Sequence, residues 1–409
     1  MAAGGPARDD GRIGGPSAGV EVAVPPSPRL QAAMFAALFV SLAMGVALLE
    51  VRRAAATIAE PVATGLDWPV SFAFAPNGSI LYNERFTGNL RAIVGGRPVP
   101  GALGNVPVET AGEQGLLGLA LHPNFAADPW AYVYQTYFNE SEGGVVNRVV
   151  RLWADPAPTR GAEVILDGIP ASTFHNGGIL GFAPDDTLFI TTGDATNPAN
   201  GQDNGTLAGK VLRIREDGTI PPDNPIPGSP VYSLGHRNLF GLAFHPVTGR
   251  PYVSENGPFA DDEVNLIEPG RNYGWPDVTG AGRQPRFVDP IVTYAEVIAP
   301  TGLAFAGDDL FLGDWNRGIV QRIVLAPPEF RTFVRNETIA AFGSQGVLDV
   351  ETGPDDSLYL STTDAIYRIV FTGGASWSPL PFVLGAVAVA VPAAVVAWIV
   401  LRRRFERSP

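Results

Sequence analysis

Residues 241–257 have the sequence GLAFHPVTGRPYVSENG, and this stretch decides the fold class. Apolar residues alternate with small or polar ones on both sides of a turn that contains Pro246 and Gly249. Alternation with a period of two on either side of a Gly/Pro turn is typical of two antiparallel strands joined by a hairpin. The stretch therefore predicts a β-hairpin.

The same strand–turn–strand pattern occurs six times along the chain. The six segments begin at Ser71, Gly118, Leu180, Gly241, Gly302 and Asp349. A third strand follows in five of them, at Leu90, Asn147, Gly209, Ile319 and Ala365. The six first strands contain Phe72, Leu119, Leu180, Leu242, Leu303 and Val350, which lie 47, 61, 62, 61 and 47 residues apart.

Repeats of this length built from antiparallel strands are typical of propeller blades. We therefore predict an all-β fold, a six-bladed β-propeller over residues 58–371. The alternative is a β-sandwich whose strands resemble one another by chance.

The composition limits the classes of function. The chain has 409 residues and a net charge of −13 at pH 7. This acidity argues against nucleic acid as a partner, because phosphate binding needs a basic face, and it suits cations or neutral substrates. Cysteine is absent, which excludes disulfides and thiolate metal sites. No phosphate-binding glycine motif precedes a helix and no G-x-S-x-G occurs, so we expect neither a nucleotide-dependent enzyme nor a serine hydrolase.

Two apolar segments flank the repeats. Residues 31–50 contain an apolar run that is just long enough to span a bilayer, which predicts a signal anchor or a cleaved signal peptide. A buried soluble helix is the alternative. Residues 380–401 carry no charge and are followed by a basic tail at 402–409, which predicts a transmembrane helix with a cytoplasmic end. Residues 1–30, rich in Gly, Ala, Pro and Ser, are predicted to be disordered.

This arrangement predicts a propeller on the extracytoplasmic side of the cell membrane, held there by two helices.

Polar residues cluster next to the blade strands, and propellers bind ligands at the mouth of the central channel, where such strands end. His175 is followed by Gly177 and Gly178, which allow a ligand to approach closely. An imidazole is a natural general base, and the alternative is a loop histidine with satisfied hydrogen bonds. Gln114 could contact a ligand or belong only to a turn.

A second polar group lies in the fourth repeat. Arg237 and Asn238 place a guanidinium beside an amide, which suits a carbonyl or a developing oxyanion, although Arg237 could instead form a salt bridge between blades. The loop at Gly257 and Pro258 leads into residues 261–263, which are Asp, Asp and Glu. Carbonyl and carboxylate oxygens are the ligands that Ca²⁺ prefers, and a solvated acidic loop is the alternative.

These groups belong to longer motifs that occur in a fixed order: EQGLLGLALHPNF, HNGG, GKVLRIREDGTIPPDNP, GHRN and SENGPFADDEVNLIEPGRNYGWP. In them the chain resembles the glucose/sorbosone dehydrogenase family, whose members are six-bladed propellers that bind pyrroloquinoline quinone (PQQ) and calcium. The resemblance covers about residues 61–369. It implies a quinoprotein that oxidises a sugar or an alcohol, with a membrane quinone or another redox carrier as the electron acceptor.

The resemblance also implies roles in catalysis. His175 is expected to take the proton from the anomeric hydroxyl of the sugar. Arg237 and Asn238 are expected to hold the quinone oxygens, and Gln114 to contact the cofactor or the substrate.

The same resemblance implies two calcium sites. The carbonyls of Gly257 and Pro258 would coordinate a Ca²⁺ beside the cofactor. Glu263 and Tyr273 match positions of a second, structural Ca²⁺ in some members.

The chain departs from the family pattern in several places. Asn316 stands where blade five commonly has a Lys, and Gly346 and Leu348 stand where blade six commonly has two Arg. Those cations hold the cofactor's carboxylates, and Arg317 is the residue here that could replace one of them. Phe174 stands where a polar residue often precedes the general base.

Three functions therefore remain as hypotheses. The leading one is a membrane-anchored sugar or alcohol dehydrogenase that depends on PQQ and Ca²⁺. The second is a non-catalytic calcium-binding propeller that has lost PQQ, which the missing cations favour. The third is a metal-dependent lactonase or esterase, which would need side-chain carboxylates around a central metal.

Overall fold

The computed structural model describes residues 57–155 and 160–371. Within them, 25 strands form six antiparallel sheets, each with at least four strands. The predicted six-bladed β-propeller is confirmed. A short 3₁₀ helix at Pro198–Gly201 lies in the loop between two strands of the third blade.

The strands follow one another blade by blade. After β1 (Thr57–Thr64), blade one contains β2 (Pro69–Phe74), β3 (Ile80–Glu84), β4 (Asn89–Val94), β5 (Arg97–Pro98) and β6 (Gly104–Asn105). Blade two contains β7 (Leu116–Leu121), β8 (Trp130–Asn139), β9 (Gly144–Trp153) and β10 (Ala162–Pro170). Blade three contains β11 (Gly177–Phe182), β12 (Leu188–Thr192), β13 (Lys210–Ile214) and β14 (Val231–Leu234).

Blade four contains β15 (Leu239–Phe244), β16 (Pro251–Glu255), β17 (Asp262–Leu266) and β18 (Val292–Tyr294). Blade five contains β19 (Pro300–Ala306), β20 (Asp309–Asp314), β21 (Ile319–Leu325) and β22 (Phe333–Ala341). Blade six contains β23 (Asp349–Thr352), β24 (Leu358–Ser361) and β25 (Ala365–Phe371), and β1 is its fourth strand.

The hydrophobic core is divided among the seams between blades. Six clusters of buried apolar side chains occur in the described residues, and each combines strands of two neighbouring blades. Tyr132 packs in the seam between blades two and three, and Tyr252 packs between blades four and five. Because each seam packs both of its sheets, the six repeats stabilise one another around the ring.

Ring closure joins the two ends of the described chain. Strand β1 pairs antiparallel with β25, with Thr57 opposite Phe371 and Thr64 opposite Ala365. On the channel side, the amide of Phe72 donates to the Asp349 carboxylate over 3.1 Å, which joins blade one to blade six. The sequence repeats predicted the blades but not this pairing.

Blade four contains a third strand that the sequence analysis did not predict. Strand β17 begins within the acidic cluster that was interpreted as a loop, and all five of its residues are buried. It pairs with β16 so that Glu263 lies opposite Glu255. The two carboxylates are thereby placed side by side at the end of the strand pair that points to the channel mouth.

The segments with the predicted polar residues meet at one end of the propeller. His175 immediately precedes β11, and Arg237 and Asn238 precede β15. The loop at 256–261 follows β16, which runs antiparallel to β15 and therefore ends where β15 begins. These loops form the channel mouth.

No helix within residues 57–155 and 160–371 is long and apolar enough to cross a membrane. The segments predicted to span it, 31–50 and 380–401, lie outside the described residues, as do the tails at 1–30 and 402–409.

Candidate active site

His175 lies between a carboxylate and a guanidinium at the channel mouth. Its Nδ1 is 2.7 Å from Oδ1 of Asp194, and its Nε2 is 2.9 Å from Nη2 of Arg237. A guanidinium has only donors, so Nε2 must be the acceptor and Nδ1 must carry the proton that Asp194 accepts. The imidazole is therefore held in the tautomer whose unprotonated Nε2 faces the mouth, as a general base requires.

The backbone of His175 is held in an unusual conformation. Its φ is +61°, in the left-handed region that few residues other than glycine adopt. The amide of His175 donates to Oε2 of Glu113 over 2.6 Å, and a side chain at Gly193 would collide with the carbonyl of His175. Such strained conformations persist where surrounding contacts impose them, often at functional sites.

Asp194 is a functional residue that was not predicted from the sequence. It is fully buried at the end of β12, and its Oδ2 accepts a hydrogen bond of 2.9 Å from the indole of Trp275. Its backbone amide donates to the carbonyl of Arg237 over 2.7 Å. The available signal was an acidic residue directly after the strand that pairs with β11, in the sequence TTGD.

Arg237 is half-buried, and in the described part of the chain its guanidinium hydrogen-bonds to a carbonyl and to His175 rather than to a carboxylate. It donates to the carbonyl of Asn256 over 2.9 Å and lies 5.5 Å from the ring of Trp275. Burial lowers the pKa of Arg237, while nearby carboxylates oppose that shift. The alternative of a salt bridge between blades is thus not what the structure contains, and donors remain for a ligand.

Asn238 and Gln114 both hold loops together. The Asn238 side chain accepts from the amide of Gly177 and donates to Glu113, which joins blades two, three and four. The Gln114 side chain accepts from the amide of Ala111 and donates to the carbonyl of Ser172. Both residues lie beside the mouth, and their expected contacts with a cofactor remain predictions.

The family resemblance assigned the four predicted metal ligands to two calcium sites. In the structure all four line one narrow cleft. Gly257, Pro258, Glu263 and Tyr273 share this cleft with Arg237. In the described residues, no three side chains of His, Cys, Asp or Glu converge as a metal site, so an ion there would need backbone carbonyls as well.

Tyr273 has no hydroxyl available for a metal. That hydroxyl donates to the carbonyl of Leu266 over 2.6 Å and accepts from the amide of Glu268 over 2.8 Å. The ring stacks on His236 with 4.7 Å between centroids. Only the backbone carbonyl of Tyr273 is left as a ligand.

Glu255 and Glu263 form a buried carboxylate pair in this cleft. Burial and the charge of Glu255 raise the pKa of Glu263 to about 8. Asn265 donates to both carboxylates, at 3.2 Å and 3.0 Å, while its own Oδ1 is buried without a hydrogen-bond partner. Two adjacent carboxylates need a shared proton or a cation, and carboxylate and backbone carbonyl oxygens are the ligands that Ca²⁺ prefers. The donor set fits calcium.

Comparison with known proteins agrees with this geometry. The family model for glucose/sorbosone dehydrogenases matches residues 66–370. The chain belongs to this family.

Named relatives of the chain include two sugar dehydrogenases. It is 34% identical to quinoprotein glucose dehydrogenase B of Acinetobacter calcoaceticus over 253 residues, which cover 54% of this chain and 52% of that protein. It is 28% identical to the aldose sugar dehydrogenase of Escherichia coli K12 over 328 residues, which cover 73% and 88%. The solved structure of a PQQ-bound aldose sugar dehydrogenase from Streptomyces coelicolor is 33% identical, with a TM-score of 0.70, and the match covers 77% of this chain and 98% of that one.

Blades five and six of this family member carry few available cations at the mouth. The Nε of Arg317 donates to Asp314 over 2.6 Å, so its charge is already paired. Asn316 is exposed and donates to the carbonyl of Val297 over 2.9 Å. A Cβ at Gly346 would lie 2.0 Å from Cε3 of Trp315, so an indole covers the place where the family commonly has an Arg.

Two other histidines, His122 and His245, support turns that follow β7 and β15, away from the mouth. Nδ1 of His122 accepts from the amide of Asn124 over 3.1 Å, and Nδ1 of His245 accepts from the amide of Val247 over 3.2 Å. His236, the fourth histidine, is fully buried between Ser233 and Glu255, so His175 is the partly exposed histidine at the mouth.

Proposed function

We propose that the protein is a PQQ- and calcium-dependent dehydrogenase that oxidises the C1 hydroxyl of an aldose, with His175 as the general base. The observation that carries this proposal is the arrangement of Asp194, His175 and Arg237. It combines a base in a fixed tautomer with a guanidinium whose hydrogen bonds, within the described residues, go to that base and to the carbonyl of Asn256.

The proton moves from the sugar to Nε2 of His175. The substrate hydroxyl must first replace the Nη2 of Arg237 as the donor to this nitrogen. Once Nε2 is protonated, both ring nitrogens are donors, and the buried carboxylate of Asp194 stabilises the imidazolium. Trp275 fixes the second oxygen of Asp194, so the ring keeps its direction through the step.

When bound, PQQ would supply the acceptor for the hydride that leaves C1 of the sugar. The residues at the mouth suit its quinone side, because the guanidinium of Arg237 has only donors and Asn238 and Gln114 carry amide groups. After Nε2 takes the substrate proton, it repels the guanidinium, which leaves Arg237 to hold an oxygen of the ligand. On the side of blades five and six, Arg317 follows the replaced Lys position directly in the sequence and is the cation that could take its place.

Calcium would be held by the carboxylates of Glu255 and Glu263 together with the carbonyls of Gly257 and Pro258. Its charge would replace the proton that the carboxylate pair otherwise retains. Since the same cleft is lined by Arg237, the ion would also fix the loop that supports this guanidinium.

We also propose that the propeller lies outside the cytoplasm and is anchored by residues 31–50 and 380–401. Its electrons would pass to a membrane quinone or another redox carrier. The support is the sequence alone, namely the two apolar runs and the arginines at 402–404.

The non-catalytic propeller is the second candidate, and the paired state of Arg317 together with Asn316 and Gly346 favours it. The lactonase alternative lacks comparable support, because no three acidic or imidazole side chains converge within residues 57–155 and 160–371.

Dye reduction by the purified full chain tests the proposed function. With PQQ and Ca²⁺ present, we expect aldoses to reduce the dye and His175→Ala to lower the rate by about a hundredfold or more. His122→Ala, a histidine change outside the mouth, is the matched control and should keep the rate. If no aldose reduces the dye, the protein is a binding propeller.

A further inference from the structure

The seam between blades six and one, which closes the ring, differs from other seams at one repeated position. In blades three and four, a hydroxyl on the second strand donates to a carbonyl on the first strand of the next blade. Thr191 donates to the carbonyl of Leu239 over 3.2 Å, and Ser254 donates to that of Thr301 over 2.7 Å. Ser361 has the equivalent register in blade six, but it makes no such bond within residues 57–155 and 160–371.

The hydroxyl of Ser361 is buried without a partner. The residue has no exposed surface, and its Oγ has no hydrogen-bond partner among the described residues. An unpaired polar atom in the interior is unfavourable, so an isolated buried hydroxyl of this kind indicates a contact with a water or an ion. The groups around Ser361 decide between these two.

The side chain of Ser361 lies beside a carboxylate. Ser361 is directly opposite Asp349 in the pair of β23 and β24, and opposed residues place their Cβ atoms on the same face, about 5 Å apart. Oδ2 of Asp349 accepts from the amide of Phe72 over 3.1 Å, and Oδ1 accepts from the amide of Val350 over 2.9 Å. Because a carboxylate has about four acceptor sites, Asp349 keeps the capacity for a further ligand.

A second carboxylate lies two residues further along the same strand. Glu351 shares a face with Asp349, because side chains alternate across a strand. It is partly buried, and its carboxylate accepts no hydrogen bond from the described residues. The residues at the equivalent register in the other blades are small and uncharged, namely Ala73, Ala120, Gly181, Ala243 and Ala304. The packing of the repeat therefore does not explain a carboxylate at this position.

The two carboxylates have no protein cation to balance their charge. Burial raises the pKa of Asp349 to about 7, and burial together with the charge of Asp349 raises the pKa of Glu351. In the described part of the chain, no Lys, Arg or His side chain forms an ion pair with either of them. Adjacent buried carboxylates repel each other unless a proton or a cation lies between them, and a cation would also satisfy the hydroxyl of Ser361.

We propose that Asp349, Glu351 and Ser361 bind a calcium ion in the closing seam, separate from the cleft in blade four. Two carboxylates and a hydroxyl supply oxygen ligands of the kind that Ca²⁺ prefers, and water would complete its shell. The ion would cancel both negative charges. Because Asp349 also accepts from the amide of Phe72, the ion would fix the carboxylate that joins blade six to blade one. The inference goes beyond the proposed function, since it needs neither PQQ nor a sugar.

Calcium titration of the full chain tests the inference. The protein is first freed of metal with a chelator, and calorimetry at pH 8 without PQQ then counts the calcium ions that bind. We expect Glu351→Ala to bind one ion fewer than the parent protein, both in the natural sequence and in a chain that carries Glu263→Gln to weaken the cleft in blade four. Ser361→Ala should keep this ion with about tenfold weaker affinity, because it loses one ligand of several.

Asp356→Asn is the matched control, because Asp356 is an exposed turn residue of the same blade with a φ of +57°, which asparagine tolerates. It should bind as many calcium ions as the parent protein. Glu351→Ala should fold, since four other blades have alanine at this position, and calcium should raise its melting temperature less than that of the parent. If Glu351→Ala binds as many ions as the parent with the same affinity, the inference is wrong and the two carboxylates share a proton instead.

Discussion

At the scale of single residues, which ring nitrogen of His175 carries the proton decides whether the site has a general base. Nε2 of His175 faces a guanidinium that cannot accept a hydrogen bond, so the proton lies on Nδ1 beside Asp194. The base is prepared for proton uptake by contacts that exist before any ligand arrives.

Asp194→Asn should therefore damage the chemical step more than substrate binding. An asparagine can present its amide hydrogens to Nδ1 and stabilise the wrong tautomer. We expect kcat to fall by about 10²- to 10⁴-fold with a small change in KM. Steady-state dye reduction measures this effect.

Asp186→Asn is the control for that substitution. Asp186 is an exposed turn residue in the same blade with a φ of +61°, which asparagine tolerates well. Its activity should equal that of the parent protein. A decrease in kcat of less than threefold in Asp194→Asn would contradict the assigned tautomer.

Part of this site was predictable residue by residue. His175, Arg237 and Asn238 stand outside the repeated turn, so the repeat pattern does not account for their polar side chains. Asp194 and Glu113 were not recognised, because a single acid at the end of a strand looks like an ordinary turn residue. Their roles arise only when loops from different blades meet.

At the scale of elements, the β16–β17 pair couples stability to pH. Burial and Glu255 raise the pKa of Glu263 from its ordinary value of 4.5 to about 8. The folded protein therefore binds more protons than the unfolded chain between these values, and its stability falls as the pH rises from about 4.5 to 8. Calcium held by the carboxylates would oppose this loss.

We expect calcium to raise the melting temperature much more at pH 8 than at pH 5, with a difference on the order of 2 kcal/mol in unfolding free energy. Thermal unfolding with calcium or with a chelator at both pH values measures it. Glu263→Gln should flatten the pH dependence and reduce the calcium effect. An equal calcium shift at both pH values would argue against an ion at these carboxylates.

The same strand pair explains where the prediction of elements failed. The repeated turns predicted the first two strands of every blade. The third strand of blade four was not predicted, because Asp262 and Glu263 are residues typical of an acidic loop. Asp262 can be buried because it accepts hydrogen bonds from three backbone amides. Glu263 is buried opposite the carboxylate of Glu255 and accepts from the side-chain amide of Asn265. Composition alone does not distinguish such a strand from an acidic loop.

At the scale of the whole molecule, closure depends on a strand that precedes the first blade. Strand β1 covers the edge of β25, which would otherwise be unpaired. A chain that begins at Gly65 should melt about 10 °C or more below a chain that begins at Thr57, and it should aggregate more readily. Scanning calorimetry of the two chains makes the comparison, and equal melting temperatures would show that the ring is stable without β1.

The number of blades was predictable because each repeat has its own strands and turn. The closing pair was not, because β1 lies outside the repeats and its partner lies about 300 residues away in the sequence. The contact between Trp68 and Trp315 was missed for the same reason, since these two side chains become neighbours only when the ring of blades is closed.

Titration calorimetry with PQQ tests the central claim most directly. The full chain is titrated with PQQ in the presence of Ca²⁺ and again with a chelator, alongside Arg237→Ala and the control His122→Ala. We predict binding with a Kd of about 1 μM or lower that requires Ca²⁺, is lost in Arg237→Ala and is kept in His122→Ala. Absence of binding at high PQQ with Ca²⁺ present would contradict the assignment of a quinoprotein dehydrogenase.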